Sequence, residues 1–328
     1  MNKFFVGLAC VACLAFGGAP AWAATDAAAG SSADAAFKAL YTREWNWRQA
    51  QRSGDEDTPS PAGSHLPQVD AATQAAREKF WASVLDELRK VPVGQLSDDE
   101  KDNYRVYEYQ IRTLLDDQRF GEWQMPFNAD TAFWTNLGYA ARGHFGGIDD
   151  FRNYLSRLRD IPRYFADEEA NMRLGLQRGF SQPALVVEGI EPSLTSVIDA
   201  RGKDNLFYTP FRNMPATIPA DQQATLRAEA LKVIHDAVIP AYTRLLDFMR
   251  GDYLAHARSS LAAYDLPDGK AYYQSRIYKF ATLDLTPAQI HQIGLEEMAD
   301  IHQQMLDTIK QASFKGRYDD FLKFLRTD

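Results

Sequence analysis

The sequence predicts a predominantly all-α protein, a large helical array forming one side of a groove. Two observations carry the helical reading: apolar residues recur at helical spacing through most of the chain, and alternating strand patterns are scarce. A third supports it, because helix-start signals stand in front of two of those apolar runs. The groove is an expectation of the family resemblance described below.

Taken in order, residues 1–23 read as a secretory signal peptide. Lys3 supplies the positive n-region, Phe4 to Pro20 is apolar or small, and Ala21-Trp22-Ala23 gives the small-x-small cleavage pattern. The expected location is therefore periplasmic or secreted. Every later apolar run is broken by charge, so no integral membrane span is expected after cleavage. Both cysteines, Cys10 and Cys13, fall inside the signal segment. The mature protein is then expected to have no disulfide, no thiolate nucleophile and no cysteine-held metal.

Residues 24–35, nearly all Ala, Ser, Gly and Asp, read as a flexible leader. The remainder, 36–328, reads as one helical domain with a polar, Pro-rich loop over residues 53–68. Phe80, Trp81, Val84, Leu85 and Leu88 share a helix face, as do Tyr104, Tyr107, Ile111, Leu114 and Leu115 behind a Ser97 to Glu100 capping box. Further helices are expected at about 149–160, 163–178, 184–200, 220–250 and 287–311. Pro162 separates two of them, and Pro240 should kink or divide the 220–250 segment. Thr286-Pro287-Ala288-Gln289 is a second start signal, and short strands are expected near Trp123 to Phe127 and Leu206 to Thr209. At the C-terminus, Tyr318, Phe321, Leu322, Phe324 and Leu325 belong to an apolar pattern still in progress at Asp328. That pattern fits either a frayed terminal helix or a chain cut short inside a larger domain.

Composition narrows the function classes. The formal charge is −8, with no cluster of five or more Lys and Arg, which argues against nucleic acid and anionic membrane surfaces as partners. Aromatic residues make up 12% of the chain, with clusters at Trp45-Asn46-Trp47 and from Tyr104 to Tyr109 that suit a core or a groove wall. No His-Glu-x-x-His motif is present, and Asp252 with His256 is the one histidine pairing at helical ligand spacing. His291 and His302 are three turns apart, and Glu296 and Glu297 diverge around their helix. The chain has no Gly-x-Ser-x-Gly elbow, and Gly138, Gly143, Gly146 and Gly147 lack the Lys-Ser/Thr ending of a phosphate loop; a turn beside a capping Asp149 explains them. The carboxylate pair Glu188 and Glu191 is of a kind that any acidic protein offers.

From Leu266 onward a family resemblance emerges. Leu266-Pro267-Asp268-Gly269, Tyr272-Tyr273 and the run from Thr282 through Thr286-Pro287 to Glu297 resemble the middle of the bacterial domain-of-unknown-function 885 (DUF885) family. Pro240-Ala241-Tyr242-Thr243-Arg244-Leu245 and the Gly175 to Glu188 stretch, with Gly179 and Pro183, are similar to it as well. The resemblance implies a zinc metallopeptidase-like protein with a deep groove, of which this chain resembles the N-terminal half. The family's His-Glu-x-x-x-Gly-His-His type zinc motif would lie downstream. No catalytic residue, metal ligand or cofactor is therefore expected within this chain, which would be inactive alone, while zinc is expected in the complete family member. Phe280-Ala281-Thr282-Leu283 departs from the family's Thr-rich run, so no substrate contact is carried over there.

Tyr272, Tyr273, Arg276 and His291 are the candidate groove-wall residues. Tyrosines and an arginine suit a peptide's backbone and carboxylate. The alternative is that they lock the Thr286-Pro287 helix against its neighbour. A peptide substrate is the expected partner, together with the C-terminal half. The rival function is a non-catalytic periplasmic helical module that binds peptides or a protein, and a weaker rival is a defective gene product.

Overall fold

The computed structural model describes residues 21–51 and 63–327, with side chains from residue 32 onward. Residues 1–20 of the expected signal peptide, with both cysteines, and residues 53–62 of the expected loop fall outside the described residues, whereas the expected cleavage pattern at residues 21–23 lies within α1. The protein is predominantly all-α. Among the described residues, β pairing is confined to the isolated bridges Phe127 with Ala132 and Pro183 with Arg258.

The first layer is a three-helix unit of α1 (Ala21–Gln51), α2 (Ala71–Leu88) and α3 (Asp98–Phe120). Phe37 and Leu40 of α1 meet Trp81, Val84, Leu85 and Leu88 of α2 and Tyr107, Ile111 and Leu115 of α3 in one buried cluster. Those α2 and α3 residues belong to the two apolar faces legible in the sequence. Ser97 caps α3 as expected, its hydroxyl accepting the Glu100 N–H at 3.4 Å. Residues 24–35, read as a leader, lie in α1, and Ala33 is buried. Alanine has the strongest helix propensity, so an Ala-rich stretch extends a helix that packing has already nucleated.

The main core surrounds α5 (Ile148–Gln177). Pro162 does not end this helix, because buried residues continue across it from Leu158 and Ile161 to Phe165 and Met172. Packing on both sides offsets the single lost backbone bond. At its start, Asp150 rather than Asp149 closes the glycine turn, its carboxylate accepting the N–H groups of Gly146 and Gly147 at 2.8 and 2.9 Å.

Against α5 pack α4 (Phe133–Ala140), α9 (Ala220–Val233) and α10 (Ile239–Phe248), while α7 (Glu191–Asp199) packs on α10; the short helices α6 (Ala184–Glu188) and α8 (Thr209–Arg212) join this core. Before Pro240 the chain widens into a π turn over Ile234–Val238, and a second π turn, Met249–Tyr253, leads into α11 (Leu254–His256). A π turn accommodates the missing proline N–H without breaking the helix axis. The expected strands are instead 3₁₀ turns, at Glu122–Gln124 and Leu206–Tyr208. Among the described residues neither segment lies beside a strand, Phe127 making only its isolated bridge to Ala132, and short apolar runs suit either state.

Three helices complete the chain: α12 (Gly269–Ala281), α13 (Pro287–Gln311) and α14 (Tyr318–Thr327). α13 begins with the expected capping box, Thr286 Oγ1 accepting the Gln289 N–H at 3.3 Å while Gln289 Oε1 accepts the Thr286 N–H at 2.9 Å. It leaves Ile293, Met298 and Ile301 exposed, and Ile309 is its buried residue.

Candidate functional site

The segment from Glu122 to α4, the middle of α5 and the inner face of α12 enclose a cleft of about 1320 Å³. The walls follow from helix periodicity. Tyr272, Tyr273 and Arg276 are one and four positions apart on α12, so they share its inner half, and all three line the cleft. His291 does not line it. It sits exposed on α13, past the turn that ends α12.

Arg276 is committed to the protein itself. Its guanidinium pairs with Asp117 at 2.8 Å and Glu122 at 3.0 Å, and it lies over the Tyr272 ring, 5.1 Å from the centroid. The Tyr272 hydroxyl donates to the Glu122 carboxylate, and Lys279 reaches Asp117 at 2.7 Å. Burial pushes the Tyr272 hydroxyl well above its ordinary value, with the Glu122 charge adding to the effect. It therefore stays a donor at neutral pH. These contacts clamp α12 to α3, and the small cluster of Phe180, Leu266 and Tyr272 seats the clamp from below. Arg258, also in the cleft wall, donates instead to the carbonyls of Ser181 and Ala262, at 2.8 and 3.0 Å.

The floor holds a residue that sequence reasoning missed. Glu168 of α5 lines the cleft at 5% exposure. The Asn171 amide approaches its carboxylate at 3.4 Å, and the Tyr164 hydroxyl bonds to it as well. Burial, the dominant cause, pushes the Glu168 carboxyl up to about 7. Glu122 and Glu168 are the acidic residues in the lining, and among the described residues only Glu122 has an ion-pair partner. A sequence signal for Glu168 existed: it occupies the buried stripe Ile161, Phe165, Glu168, Met172, where an apolar residue belongs.

No group of three or more His, Cys, Asp or Glu side chains gathers to hold a metal ion among the described residues. His256 Nδ1 lies 2.8 Å from the Asp252 backbone carbonyl, and the Asp252 carboxylate faces Arg173 at 3.6 Å. Among the described residues no helix is long and apolar enough to cross a membrane.

The fold is similar to a crystal structure described as "the putative lipoprotein from Colwellia psychrerythraea", with a TM-score of 0.73 and 15% identity over 92% of this chain and 54% of that one. At that identity the likeness is one of fold, and the chain spans about half the length of the protein it matches. No curated protein matches the chain. The sequence profile of the bacterial proteins of unknown function DUF885 matches residues 48–328, a stretch that holds every wall of the cleft, and the chain belongs to that family.

Proposed function

We propose that the cleft binds the amino-terminal end of a peptide, outside the cytoplasm, as the substrate-holding portion of a zinc peptidase-like protein. The observation that carries this reading is Glu168, a buried carboxyl without an ion-pair partner among the described residues, on the floor of a cleft of about 1320 Å³. Such a carboxylate suits a ligand ammonium, because a buried charge is stabilised only by pairing. The volume exceeds the roughly 300–1,000 Å³ of small-molecule pockets and suits an extended chain. Asn128, Asn136 and Gln182 in the wall offer amide partners for a peptide backbone.

Hydrolysis belongs to this reading through the family resemblance alone. The zinc ligands are assigned to the part of the protein beyond this chain, and the exposed apolar face of α13 is the surface we assign to that part. A non-catalytic peptide-binding module would use the same cleft, and a chelator-sensitive peptidase assay on the longer protein separates the two.

The binding claim is tested by calorimetry with tetraalanine and its N-acetylated form. The free amine should bind at least about tenfold more tightly, as expected for a hydrogen bond between charged groups. Glu168→Gln should abolish that preference. Equal affinity of the two peptides for the unaltered protein would refute the reading.

A further inference from the structure

A second pocket, of about 650 Å³, adjoins the cleft at Gly143 and is built differently. It lies between the α4–α5 connection, the segment around α8, and α9. Its lining includes Arg142, His144, Arg212 and Arg227, and no Asp or Glu. In a chain with 44 acidic and 36 basic residues, a cationic pocket is not the by-product of an excess of positive charge.

Two of the guanidinium groups are held without being neutralised. Arg212 donates from Nε and a terminal nitrogen to the Lys203 carbonyl, at 3.2 and 2.8 Å. Arg227 donates from Nε to the Phe211 carbonyl and from a terminal nitrogen to Gln223 Oε1, both at 3.0 Å. These acceptors are uncharged. Among the described residues, neither Arg142, Arg212 nor Arg227 has an ion-pair partner, whereas Arg159, Arg163, Arg250 and Arg276 each have one. Asp150, the acidic residue at the end of the connection, is committed to the glycine turn.

Guanidinium groups fixed by neutral acceptors form a preorganised anion site, since each keeps its full charge and free N–H groups. Phe145, Met214 and Pro215 supply an apolar side to the same pocket. We propose that this pocket binds an organic phosphate: the phosphoryl group meets Arg142, Arg212 and Arg227, and its apolar substituent lies against Phe145 and Met214. A phosphate monoester, with a charge of about −1.5 to −2 near neutral pH, matches three arginines better than a single carboxylate does. The inference is independent of the peptide reading of the cleft.

The test uses the full chain and calorimetric titration with phenyl phosphate, inorganic phosphate and benzoate. Phenyl phosphate should bind most tightly, exceeding benzoate by at least about tenfold, and its affinity should fall as salt is raised. The double variant Arg142→Gln, Arg212→Gln should weaken phenyl phosphate by at least about tenfold, because charge-assisted bonds are lost. Both arginines are exposed. The variant should therefore keep its circular dichroism spectrum and its tetraalanine affinity, which separates loss of this pocket from failure of the fold or of the cleft. Sedimentation with phosphatidic acid vesicles, whose headgroup is a phosphate monoester, against phosphatidylcholine vesicles, identifies the source of the phosphate. Arginine-dependent capture by the former assigns a lipid headgroup, and phenyl phosphate binding without capture assigns a soluble ester. Benzoate binding as tightly as phenyl phosphate, or an unaltered phenyl phosphate affinity in the double variant, would overturn the proposal.

Discussion

Glu168 sets the pH behaviour at the scale of the residue. Its carboxyl value of about 7 in the folded protein lies above the ordinary 4.5, so between those limits the folded state holds a proton that the unfolded chain has released. This contribution to stability is complete below pH 4.5 and is lost as the pH rises through 7, by on the order of 3 kcal/mol at most. The groups that act on Glu168 are Tyr164, Asn171, Asp167 and Arg77. Glu168→Gln removes the titration, so the drop in Tm between about pH 5 and about pH 8 should be smaller by several degrees than in the unaltered protein. Thermal melts at the two pH values measure this, and identical drops would show that Glu168 does not titrate abnormally. Binding of an amine should show the complementary trend. Tetraalanine affinity should rise as the pH passes upward through about 7 and fall once the peptide's amino group, with a value near 8, loses its proton. Tyr272, Tyr273 and Arg276 were legible as polar residues close together on one helix. That Arg276 faces Asp117 and Glu122 was not, because nothing local to α12 names a partner on α3.

At the scale of the element, the clamp between α3 and α12 and the close approach beneath α5 make opposite demands. The Arg276 side chain is 12% exposed, but its partners Asp117 and Glu122 are 22% and 31% exposed. Solvent screens part of the attraction, so Arg276→Met should cost about 1–3 kcal/mol, below the range for a fully buried pair. Urea denaturation gives the value, and Arg276→Lys should recover only part of it because an ammonium cannot bridge both carboxylates in the guanidinium geometry. Gly175 illustrates the other demand. A Cβ there would lie 2.6 Å from the Phe180 carbonyl oxygen and 2.9 Å from that of Gln124, both backbone atoms that cannot swing aside. Gly175→Ala should therefore destabilise the protein by about 1–3 kcal/mol in the same assay, although alanine favours helix. The sequence showed the faces of α2 and α3, the Ser97 cap, the Thr286 capping box and the span of α13, since each arises within a few turns of one helix. It misjudged Pro162 and the segments around Trp123 and Leu206, where packing by distant residues overrides local preference.

At the scale of the whole molecule, the described residues form two large buried cores and a smaller cluster around Tyr272, and they leave an apolar stripe of α13 uncovered. Met298, at 68% exposure, and Ile301, at 48%, stand on α13 with Ile293, and they form an apolar stripe that no other described helix covers. A stripe of that kind binds hydrophobic dyes. The Met298→Glu, Ile301→Lys variant should lose most of the dye fluorescence with little change in Tm, because exposed positions contribute little to stability. A dye-silent parent protein would show that the stripe is covered in solution. The sequence by itself determined that the protein is predominantly α-helical, where α2, α3 and α13 lie, and which family it resembles; helical periodicity and capping depend on neighbours three or four residues away. Only the tertiary structure decided that Glu168 is buried in a cleft, that Tyr272 bonds to Glu122 across 150 residues of chain, and that three arginines share a pocket free of carboxylates. Burial and charge pairing are set by the approach of residues distant in sequence, and the pattern of a single helix does not encode them.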